Sequence, residues 1–457
     1  MAESLIISVS GMRGVIGENL TPIIAAQYGC AFGTFLKDSI TTAGRLRVCI
    51  GRDSRVSGQM LLSAMTAGLC AVGVDVVDLG LVTTPCVGVM LRELACDGGI
   101  VITASHNPLP YNGIKLLLAN GMAPPPATAE QIKRAYLDGR AGYVDSVHCG
   151  TVSRNEETDR IHIEKVLATI NPGQIAGKRY RIVLDSVNGA GARVAKRLLA
   201  ELGCEVIAMN DEPTGLFAHG AEPTAANLLD LCRRVKREKA DLGFAQDPDA
   251  DRLAIVDENG VYIGEEYTLA LAAKYVFSSG GGTAAANLST SRMIDDVAER
   301  SGGRVIRTPV GEANVAGAMI EHGCVIGGEG NGGVIDLRVG PIRDSLVGMA
   351  LVLQLMAETG KSISGLVQEI GSYYMDKDKF TADARQAQQI MKLAAQTFTE
   401  AVANTTDGLR LDFADGWIHL RTSNTEPVMR IIVEARDEPA ARRYLHAVSK
   451  IRSAVLG

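Results

Sequence analysis

The hydrophobic pattern repeats one order of elements three times along the chain. Residues 45–80, 179–210 and, more weakly, 283–311 each run from a strand-like segment through a polar turn into an apolar periodic stretch, then glycine and a second strand-like segment. Glycine after a helix is the usual left-handed stop, and short apolar runs are typical of buried parallel strands. Each copy therefore predicts a strand–helix–strand unit, closed by a right-handed crossover into a parallel sheet. Since such units occur in many α/β proteins, spacing alone leaves open whether the copies are true repeats.

The pattern changes beyond about residue 372. Residues 378–402 are predicted to be helical, residues 408–423 to form an antiparallel hairpin, and residues 426–437 to form a strand before a last helix. Polar or turn-rich stretches at 143–159, 256–267 and 371–380 separate the apolar patterns. We therefore predict an α/β protein with three similar mixed-sheet domains and a C-terminal α+β domain. The domain ranges that follow are 1–152, 153–258, 259–371 and 372–457.

The composition is typical of an α/β enzyme and argues against some classes of partner. The 457 residues are 46% hydrophobic and only 4% aromatic, which is typical of an α/β protein with aliphatic packing. The net charge is −6 without a basic block, which argues against a nucleic-acid partner. The nine cysteines lack a C-x-x-C pair, so neither a disulfide framework nor a zinc site is expected. The N-terminus does not look like a signal peptide and no long apolar run is uninterrupted, so we expect a cytoplasmic protein without a membrane partner.

The first stretch with candidate chemistry is TASHNP, residues 103–108, at the end of a predicted strand. Ser105 lacks the flanking glycines of the G-x-S-x-G elbow, which argues against a hydrolase nucleophile. Neighbours on an extended chain point to opposite faces, so we expect His106 to be poorly placed as a base for Ser105. Taken alone, the loop is equally compatible with a serine and an asparagine that serve as turn residues before Pro108.

The second stretch carries three carboxylates, Asp247, Asp249 and Asp251, at a spacing of two. Pro248 disfavours helix for the residue before it, and alternate residues of an extended chain share one face. Three carboxylates on one face repel each other unless a cation lies among them, and hard oxygen ligands suit Mg²⁺. A partial match to the EF-hand calcium loop fails at its sixth position, where Arg252 stands instead of glycine. A merely solvated acidic loop is the alternative.

Two further stretches could bind a ligand. In CVIGGEGNGGVI, Glu329 and Asn331 lie among glycines and could supply acceptors and donors to sugar hydroxyls, while the spacing does not fit a dinucleotide-binding loop. In HLRTSNTEPVMR, hydroxyl, amide and guanidinium groups surround a tight turn, which favours phosphate. Each stretch alone could be an ordinary turn.

Together and in this order, TASHNP, DPDADR, GEGNGG and RTSNTEP resemble the four active-site loops of the α-D-phosphohexomutase family. The early SGMRGVIG resembles the family's N-terminal loop, and the resemblance runs the whole chain. It implies a heart-shaped molecule of four domains, with one loop from each domain facing a central cleft. It also implies a phosphoserine that gives its phosphoryl group to a sugar monophosphate and regains one from the bisphosphate so formed. The implied partners are small hexose phosphates, with Mg²⁺ as cofactor and a hexose 1,6-bisphosphate as primer; a homodimer is left open as the assembly.

Residue by residue, the resemblance implies three sets of site residues. The implied catalytic set is Ser105 as the phosphoserine, Lys115, Arg13, His106 and Arg252. The implied metal set is Ser105 with Asp247, Asp249 and Asp251. The implied substrate-binding set is Glu329, Asn331, Gly311, Arg421, Ser423, Asn424, Thr425 and Arg430. Among these, Lys115 is the expected carrier of the hydroxyl proton, and His106 has no assigned role beyond shaping the loop or contacting phosphate.

The sugar loop departs from the version Glu-x-Ser-Gly-His that many bacterial members carry, because this chain has neither the serine nor the histidine at residues 329–333. The asparagine-containing version, together with AEPTAANL at residues 221–228, looks more like the archaeal-type phosphoglucosamine mutases and their broad-specificity phosphoglucomutase/phosphomannomutase relatives. We therefore expect glucosamine phosphate as the substrate, with glucose and mannose phosphates as alternatives.

Two other functions stay open. A strand that ends in Asp-x-Asp also resembles the haloacid dehalogenase superfamily, which would make Asp247 or Asp249 the nucleophile of a metal-dependent sugar phosphatase. The residue at position 251 argues against it, since that superfamily has Thr or Val there. A non-catalytic sugar-phosphate sensor with the same fold is the other alternative.

Overall fold

The structure is a computed structural model that describes residues 5–8, 11–41, 44–422 and 428–456. Within these residues, four sheets follow one another along the chain. The first three are mixed sheets with parallel strands at their centres, and the fourth is antiparallel. The predicted fold class is therefore confirmed.

The first sheet has the strand order β1-β2-β6-β5-β3-β4-β7. Its strands are β1 (Ile6–Ser8), β2 (Gly11–Val15), β3 (Arg47–Arg52), β4 (Asp75–Leu81), β5 (Gly98–Ile102), β6 (Tyr111–Leu118) and β7 (Val152–Arg154), and the helices beside them are α1 (Pro22–Ser39), α2 (Gly58–Ala71), α3 (Thr84–Glu93) and α4 (Pro126–Leu137). Strand β7 pairs with β4, so the division proposed after residue 152 runs through this last strand of the first sheet.

The second sheet has the order β11-β10-β8-β9. The elements of this region are α5 (Thr158–Leu167), α6 (Pro172–Ala176), β8 (Arg181–Asp185), α7 (Gly191–Glu201), β9 (Glu205–Met209), α8 (Leu229–Glu238), β10 (Leu242–Gln246) and β11 (Leu253–Val256). The third sheet has the order β13-β12-β14-β15. Its elements are α9 (Glu266–Ser278), β12 (Thr283–Asn287), α10 (Met293–Arg300), β13 (Arg304–Thr308), α11 (Glu312–His322), β14 (Ile326–Glu329), β15 (Gly333–Ile335), α12 (Ser345–Thr359) and α13 (Ile363–Ile370).

The fourth sheet has the order β16-β20-β19-β18-β17. Its elements are β16 (Tyr374–Thr381), α14 (Ala384–Thr397), β17 (Val402–Asn404), β18 (Leu409–Asp412), β19 (Gly416–Thr422), β20 (Val428–Ala435) and α15 (Glu438–Leu456). The predicted hairpin and last helix are confirmed, but the prediction of helix over residues 378–402 is wrong at both ends. Asp383 and Gln386 form a capping box that starts α14, so the residues before it remain in β16.

The three predicted strand–helix–strand units are confirmed as β3-α2-β4, β8-α7-β9 and β12-α10-β13, and each strand pair is parallel. The second and third sheets share one hydrophobic core, through which the largely buried helix α12 runs. In the described part of the chain, no single helix is long and apolar enough to cross a membrane, although α12 and α13, which meet at 90°, would pass the same test as a pair.

Candidate active site

A cavity of about 430 Å³ opens where the first three domains meet. It is lined by eight of the predicted residues, namely Arg13, Ser105, His106, Lys115, Arg252, Gly311, Glu329 and Asn331. Arg421 and Arg430 lie opposite each other on β19 and β20 of the fourth sheet and are not among the residues that line the cavity. Ser423, Asn424 and Thr425 lie outside the described residues.

Ser105 follows β5 in a left-handed conformation, with φ of 49°. Its hydroxyl donates to Asp247 Oδ2 at 3.0 Å, and its main-chain N–H donates to the Thr103 hydroxyl at 2.9 Å. Because the chain is not extended here, the expectation that Ser105 and His106 point apart is wrong, and His106 Nδ1 lies 3.4 Å from Ser105 Oγ. Burial, and after it the positive charge of Arg252, lowers the pKa of His106 to about 3, so the imidazole is neutral at neutral pH.

A buried arginine holds the serine loop in this shape. Arg55 is 1% exposed, and its guanidinium donates to the main-chain carbonyl oxygens of Ser105, Asn107, Pro108 and Tyr111 at distances of 2.6–3.1 Å. Asp53 accepts from the Arg55 side chain at 3.1 Å and from Thr103 at 2.7 Å. Sequence reasoning missed Arg55, and the only local signal was the charged RDSR that follows the apolar strand β3.

The three aspartates converge in the turn between β10 and β11, where carboxylate oxygens of Asp247, Asp249 and Asp251 lie within 4.8 Å of one another. The predicted grouping is confirmed, but the predicted reason for it is wrong. Ala250 has φ of 56° and its N–H donates to the Asp247 carbonyl at 3.0 Å, so a tight turn rather than an extended chain brings the side chains together.

Two carboxylates of this triad, those of Asp249 and Asp251, are held on one side and open on another, whereas both oxygens of Asp247 accept hydrogen bonds. Asp249 Oδ2 accepts from Lys115 at 2.8 Å and from Thr84 at 2.6 Å, while its Oδ1 is buried with no hydrogen-bond partner among the described residues. Asp251 has the same arrangement, with Oδ2 bound by Arg343 at 2.6 Å and Oδ1 buried without a partner in the described part of the chain. Buried carboxylate oxygens without partners are costly, and a hard cation would satisfy them. The donor set therefore fits Mg²⁺.

Burial and neighbouring charges shift the pKa values of the three carboxylates in different directions. Burial, reinforced by the two other carboxylates, raises the pKa of Asp247 well above its usual range. Burial acts in the same direction on Asp249 and Asp251, but Lys115 and Arg343 respectively outweigh it and lower both pKa values. Two of the three carboxylates are thus held ionised by their partners.

Three basic side chains surround the serine and the triad. Burial opposes the charged form of Lys115, but Asp249 and Asp251 more than compensate and raise its pKa, so this ammonium is protonated at neutral pH. Arg252 donates to Glu222 Oε1 at 2.7 Å, and Arg13 donates to Asn107 Oδ1 at 2.8 Å.

In the sugar loop, Glu329 is buried at the end of β14. Its Oε1 accepts from Asn287 at 2.8 Å and from the main-chain N–H of Gly311 at 3.1 Å. Burial opposes its charge, but Arg343 and Asn287 outweigh burial and lower the pKa of Glu329. A Cβ at the next residue, Gly330, would lie 1.9 Å from a Glu266 carboxylate oxygen, so a side chain at this position would have to displace Glu266.

Arg343 is the second residue that sequence reasoning missed. It lines the cavity and forms ion pairs with Asp251, Glu329 and Glu312, which come from three different loops. The only signal in the sequence was the charged pair Arg-Asp between an apolar strand and an apolar helix.

Family models match nearly the whole chain. Those of the phosphoglucomutase/phosphomannomutase α/β/α domains I, II and III match residues 5–141, 160–260 and 264–374, and that of the C-terminal domain matches residues 374–451. The chain belongs to the phosphoglucomutase/phosphomannomutase family. It is therefore a phosphohexomutase, an enzyme that acts as an intramolecular phosphotransferase.

Family relatives are similar over almost their full length. A phosphoglucomutase/phosphomannomutase of Thermococcus kodakarensis is 40% identical, with 96% of this chain and 97% of the relative covered. A probable phosphoglucosamine mutase of Methanopyrus kandleri is also 40% identical, with 95% and 94% covered. Among solved structures, a family protein of Burkholderia thailandensis has a TM-score of 0.86 at 28% identity, covering 98% of this chain and 97% of its own.

Proposed function

We propose that this phosphohexomutase interconverts 6-phospho and 1-phospho hexoses through a phosphoserine at Ser105 and a hexose 1,6-bisphosphate, with glucosamine 6-phosphate as the preferred substrate. One observation carries the mechanism. Ser105 lines a cavity of about 430 Å³, and its hydroxyl donates at 3.0 Å to Asp247 of a buried three-carboxylate cluster. A serine in such a place is suited to carry phosphate beside a cation rather than to attack a carbonyl carbon.

Each half of the proposed reaction transfers one phosphoryl group. A sugar hydroxyl attacks the phosphorus, the bond from phosphorus to Ser105 Oγ breaks and a bond to the sugar oxygen forms. One proton leaves the sugar hydroxyl and one arrives at the serine oxygen. In the second half, after the bisphosphate has turned around, Ser105 Oγ takes the other phosphoryl group and the proton moves back.

We assign the handling of this proton to Lys115 and His106. The raised pKa of Lys115 keeps its ammonium protonated and able only to donate. The neutral Nδ1 of His106, 3.4 Å from Ser105 Oγ, can accept a hydrogen bond from the serine, but its lowered pKa makes it a weak base. Arg13 and Arg252 also line the cavity, where their fixed charges would stabilise the equatorial phosphoryl oxygens.

Mg²⁺ is the cofactor that the triad fits, with a hexose 1,6-bisphosphate as primer. Asp247, Asp249 and Asp251 would hold the ion together with the oxygen of Ser105. When bound, the ion supplies positive charge to the transferring phosphoryl group.

We assign binding of the sugar and of its distal phosphate to the two remaining loops. Glu329, Asn331 and Gly311 line the cavity and would contact sugar hydroxyls. On the fourth sheet, Arg421 and Arg430 are direct cross-strand partners, and like charges in such a pair are unfavourable. Asp407, 3.5 Å from Arg421, offsets one of the two charges, and a phosphate would offset the other. We assign this pair, with the predicted Ser423, Asn424 and Thr425, to the non-reacting phosphate.

The choice of sugar follows the relatives. Seven of the similar curated proteins carry the description probable phosphoglucosamine mutase, while one of the two at 40% identity is described as phosphoglucomutase/phosphomannomutase. A coupled assay with Mg²⁺ and bisphosphate primer across glucosamine, glucose, mannose and N-acetylglucosamine phosphates ranks the substrates. A cytoplasmic location, a homodimer and the four domain ranges given above remain proposals.

Intact mass tests the carrier directly. We expect purified wild type to carry one acid-stable phosphate of about 80 Da that maps to Ser105, and Ser105→Ala to lack both the phosphate and the activity. An acid-labile aspartyl phosphate would instead support a phosphatase. A protein that binds hexose phosphates but interconverts none of them would support the sensor.

A further inference from the structure

Arg343 lies between β15 and α12, where it contacts three loops at once. Nη2 donates to Asp251 of the metal loop at 2.6 Å, and Nη1 donates to Glu329 of the sugar loop at 2.6 Å. Nε donates to Glu312, the first residue of α11, at 3.1 Å, and the same carboxylate accepts from the Arg343 main chain at 3.0 Å. One guanidinium thus joins carboxylates of the aspartate triad, of the sugar loop and of the first turn of α11.

The space for Arg343 depends on a glycine in the sugar loop. A Cβ at Gly333 would lie 2.2 Å from Arg343 Cδ, far inside van der Waals contact. The backbone of Gly333 has no positive φ, so the constraint on this residue is steric rather than conformational. The glycine and the arginine therefore form a matched pair in this chain.

We propose that Arg343, for which Gly333 leaves room, is a positioning residue that fixes Glu329 against Asp251, so that the sugar and the phosphoryl group are held in one register. This inference rests on the proposed function of the two loops. A planar guanidinium can donate in three directions at fixed angles, whereas an ammonium is a point charge on a flexible stem. Without the fork, the carboxylates of Asp251, Glu329 and Glu312 would repel one another, and Glu329 Oε2 would keep only the contact from Asn331 at 3.4 Å.

A purely structural role for Arg343 predicts different results. It would lower the free energy of unfolding and the yield of folded protein while leaving the kinetic constants of the folded fraction unchanged. A positioning role alters sugar affinity and turnover in protein that is fully folded, because the reacting groups shift relative to each other.

The experiment is a double-mutant cycle of Gly333→Ala with substitutions of Arg343. We expect Arg343→Lys to lower kcat/KM by about 10- to 100-fold with a raised KM, and Gly333→Ala to act in the same direction by about 10-fold. Because lysine keeps the Cγ and Cδ atoms that a Cβ at position 333 would meet, the cycle is closed with Arg343→Ala, which lacks them. If Gly333→Ala acts by displacing the arginine, it should have no further effect in the Arg343→Ala background. If Arg343→Lys does not fold, Gly333→Ala alone still tests the inference.

Two controls match these changes. Arg338→Lys alters an arginine of the same segment that pairs with Asp336, and Gly365→Ala adds a methyl group to α13 with no atom closer than 3.7 Å. Both should keep wild-type kinetics.

Binding without turnover gives the second readout. Calorimetry on Ser105→Ala protein measures the affinity for the tightest binder among the four hexose phosphates. The substitutions at residues 333 and 343, introduced into this protein, should change that affinity in the same pattern as they change KM. Additive effects of the two substitutions, or unchanged affinity and kinetics in folded Arg343→Lys, would overturn the inference. If wild type binds a hexose phosphate but interconverts none, the proposed function is wrong, and the binding cycle still tests the role of Arg343. If wild type binds none of the four hexose phosphates, the proposed function and the inference about Arg343 are both wrong.

Discussion

At the scale of single residues, buried charge is balanced pairwise before any ligand arrives. Lys115 and Arg343 each hold one oxygen of a carboxylate in the metal triad, and Arg55 holds the carbonyl oxygens of the serine loop. Burying a charge is unfavourable unless it is paired and hydrogen-bonded, so the loops are fixed by the same groups that make the site charged. The oxygens left over on Asp249 and Asp251 then have one suitable partner, a cation.

Arg55 offers a test of this balance. We expect Arg55→Lys to lower the free energy of unfolding by about 3–5 kcal/mol, because one ammonium cannot satisfy four carbonyl oxygens and leaves them buried. The serine loop should also lose its shape, with less phosphate on Ser105 in intact-mass spectra. Chemical denaturation measures the first effect. Arg52→Lys is the control, since Arg52 bonds Gln59 at the surface and its change should cost less than about 0.5 kcal/mol.

Metal binding should be visible as stability. Because the ion would bind only the folded triad, Mg²⁺ at about 100 times its dissociation constant should add about 2.7 kcal/mol to the free energy of unfolding. Asp249→Asn should remove most of this increment, and Asp336→Asn, which alters a buried aspartate outside the triad, should keep it. An equal increment in wild type and Asp249→Asn would place the ion elsewhere.

At the scale of elements, the sequence predicts those features that arise from residues close together in the chain. Three strand–helix–strand units follow from periodicity and glycine stops, and the three aspartates from their spacing. A turn at Ala250, rather than an extended chain, brings the three aspartates together. The sequence gives no signal for this turn, because alanine rarely adopts a positive φ. Arg343 was out of reach because its partner Asp251 is 92 residues away in the chain and belongs to another sheet region.

A buried ion pair between two helices should make stability depend on pH. His162 of α5 contacts Asp344, the N-cap of α12, at 2.6 Å. Burial opposes the imidazolium, but Asp344 and the Cys86 thiol outweigh burial and raise the pKa of His162 to about 10. Since the folded pKa lies above the unfolded value of about 6.5, the contribution is complete below pH 6.5 and is lost as pH rises through 10.

Comparison with His162→Gln isolates this group from other titrations. Between pH 7 and pH 9.5 wild type should lose stability relative to the variant by up to about 1.4 kcal/mol per pH unit. Urea unfolding at pH 6, 7.5 and 9.5 measures the difference. Parallel pH profiles for the two proteins would show that His162 is not charged in the folded state.

At the scale of the whole molecule, the fourth domain docks on the third through polar contacts. The Glu434 carboxylate accepts from the Arg292 main chain at 2.9 Å and from the Trp417 indole at 2.7 Å. Asp407 accepts from the main-chain N–H of Val310, next to the loop that carries Gly311. Polar interfaces of this kind favour relative domain motion more than a shared apolar core does. The arginine pair that we propose for the distal phosphate therefore lies on a domain that can move relative to the third without unfolding of either.

Trp417 is the sole tryptophan of the chain and reports on this docking. It is fully buried, with the Arg410 guanidinium 4.3 Å from its ring centroid. Arg292 donates to Asp412 at 3.0 Å, so Arg292→Glu would place a third carboxylate beside Asp412 and Glu434, and like charges at a desolvated interface cost several kcal/mol. We expect red-shifted emission, stronger quenching by acrylamide and a raised KM for hexose phosphate.

The control for this prediction is Arg443→Glu, which reverses a charge on the exposed side of the same domain, where Arg443 pairs with Asp415. Its emission and KM should match wild type. If Arg292→Glu changed the emission but not KM, docking of the fourth domain would be separable from substrate capture, and the arginine pair on β19 and β20 would not hold the distal phosphate. If both change together, the phosphate is bound by a domain that reaches the substrate only when docked, which is what a bisphosphate that must turn around in the cavity requires.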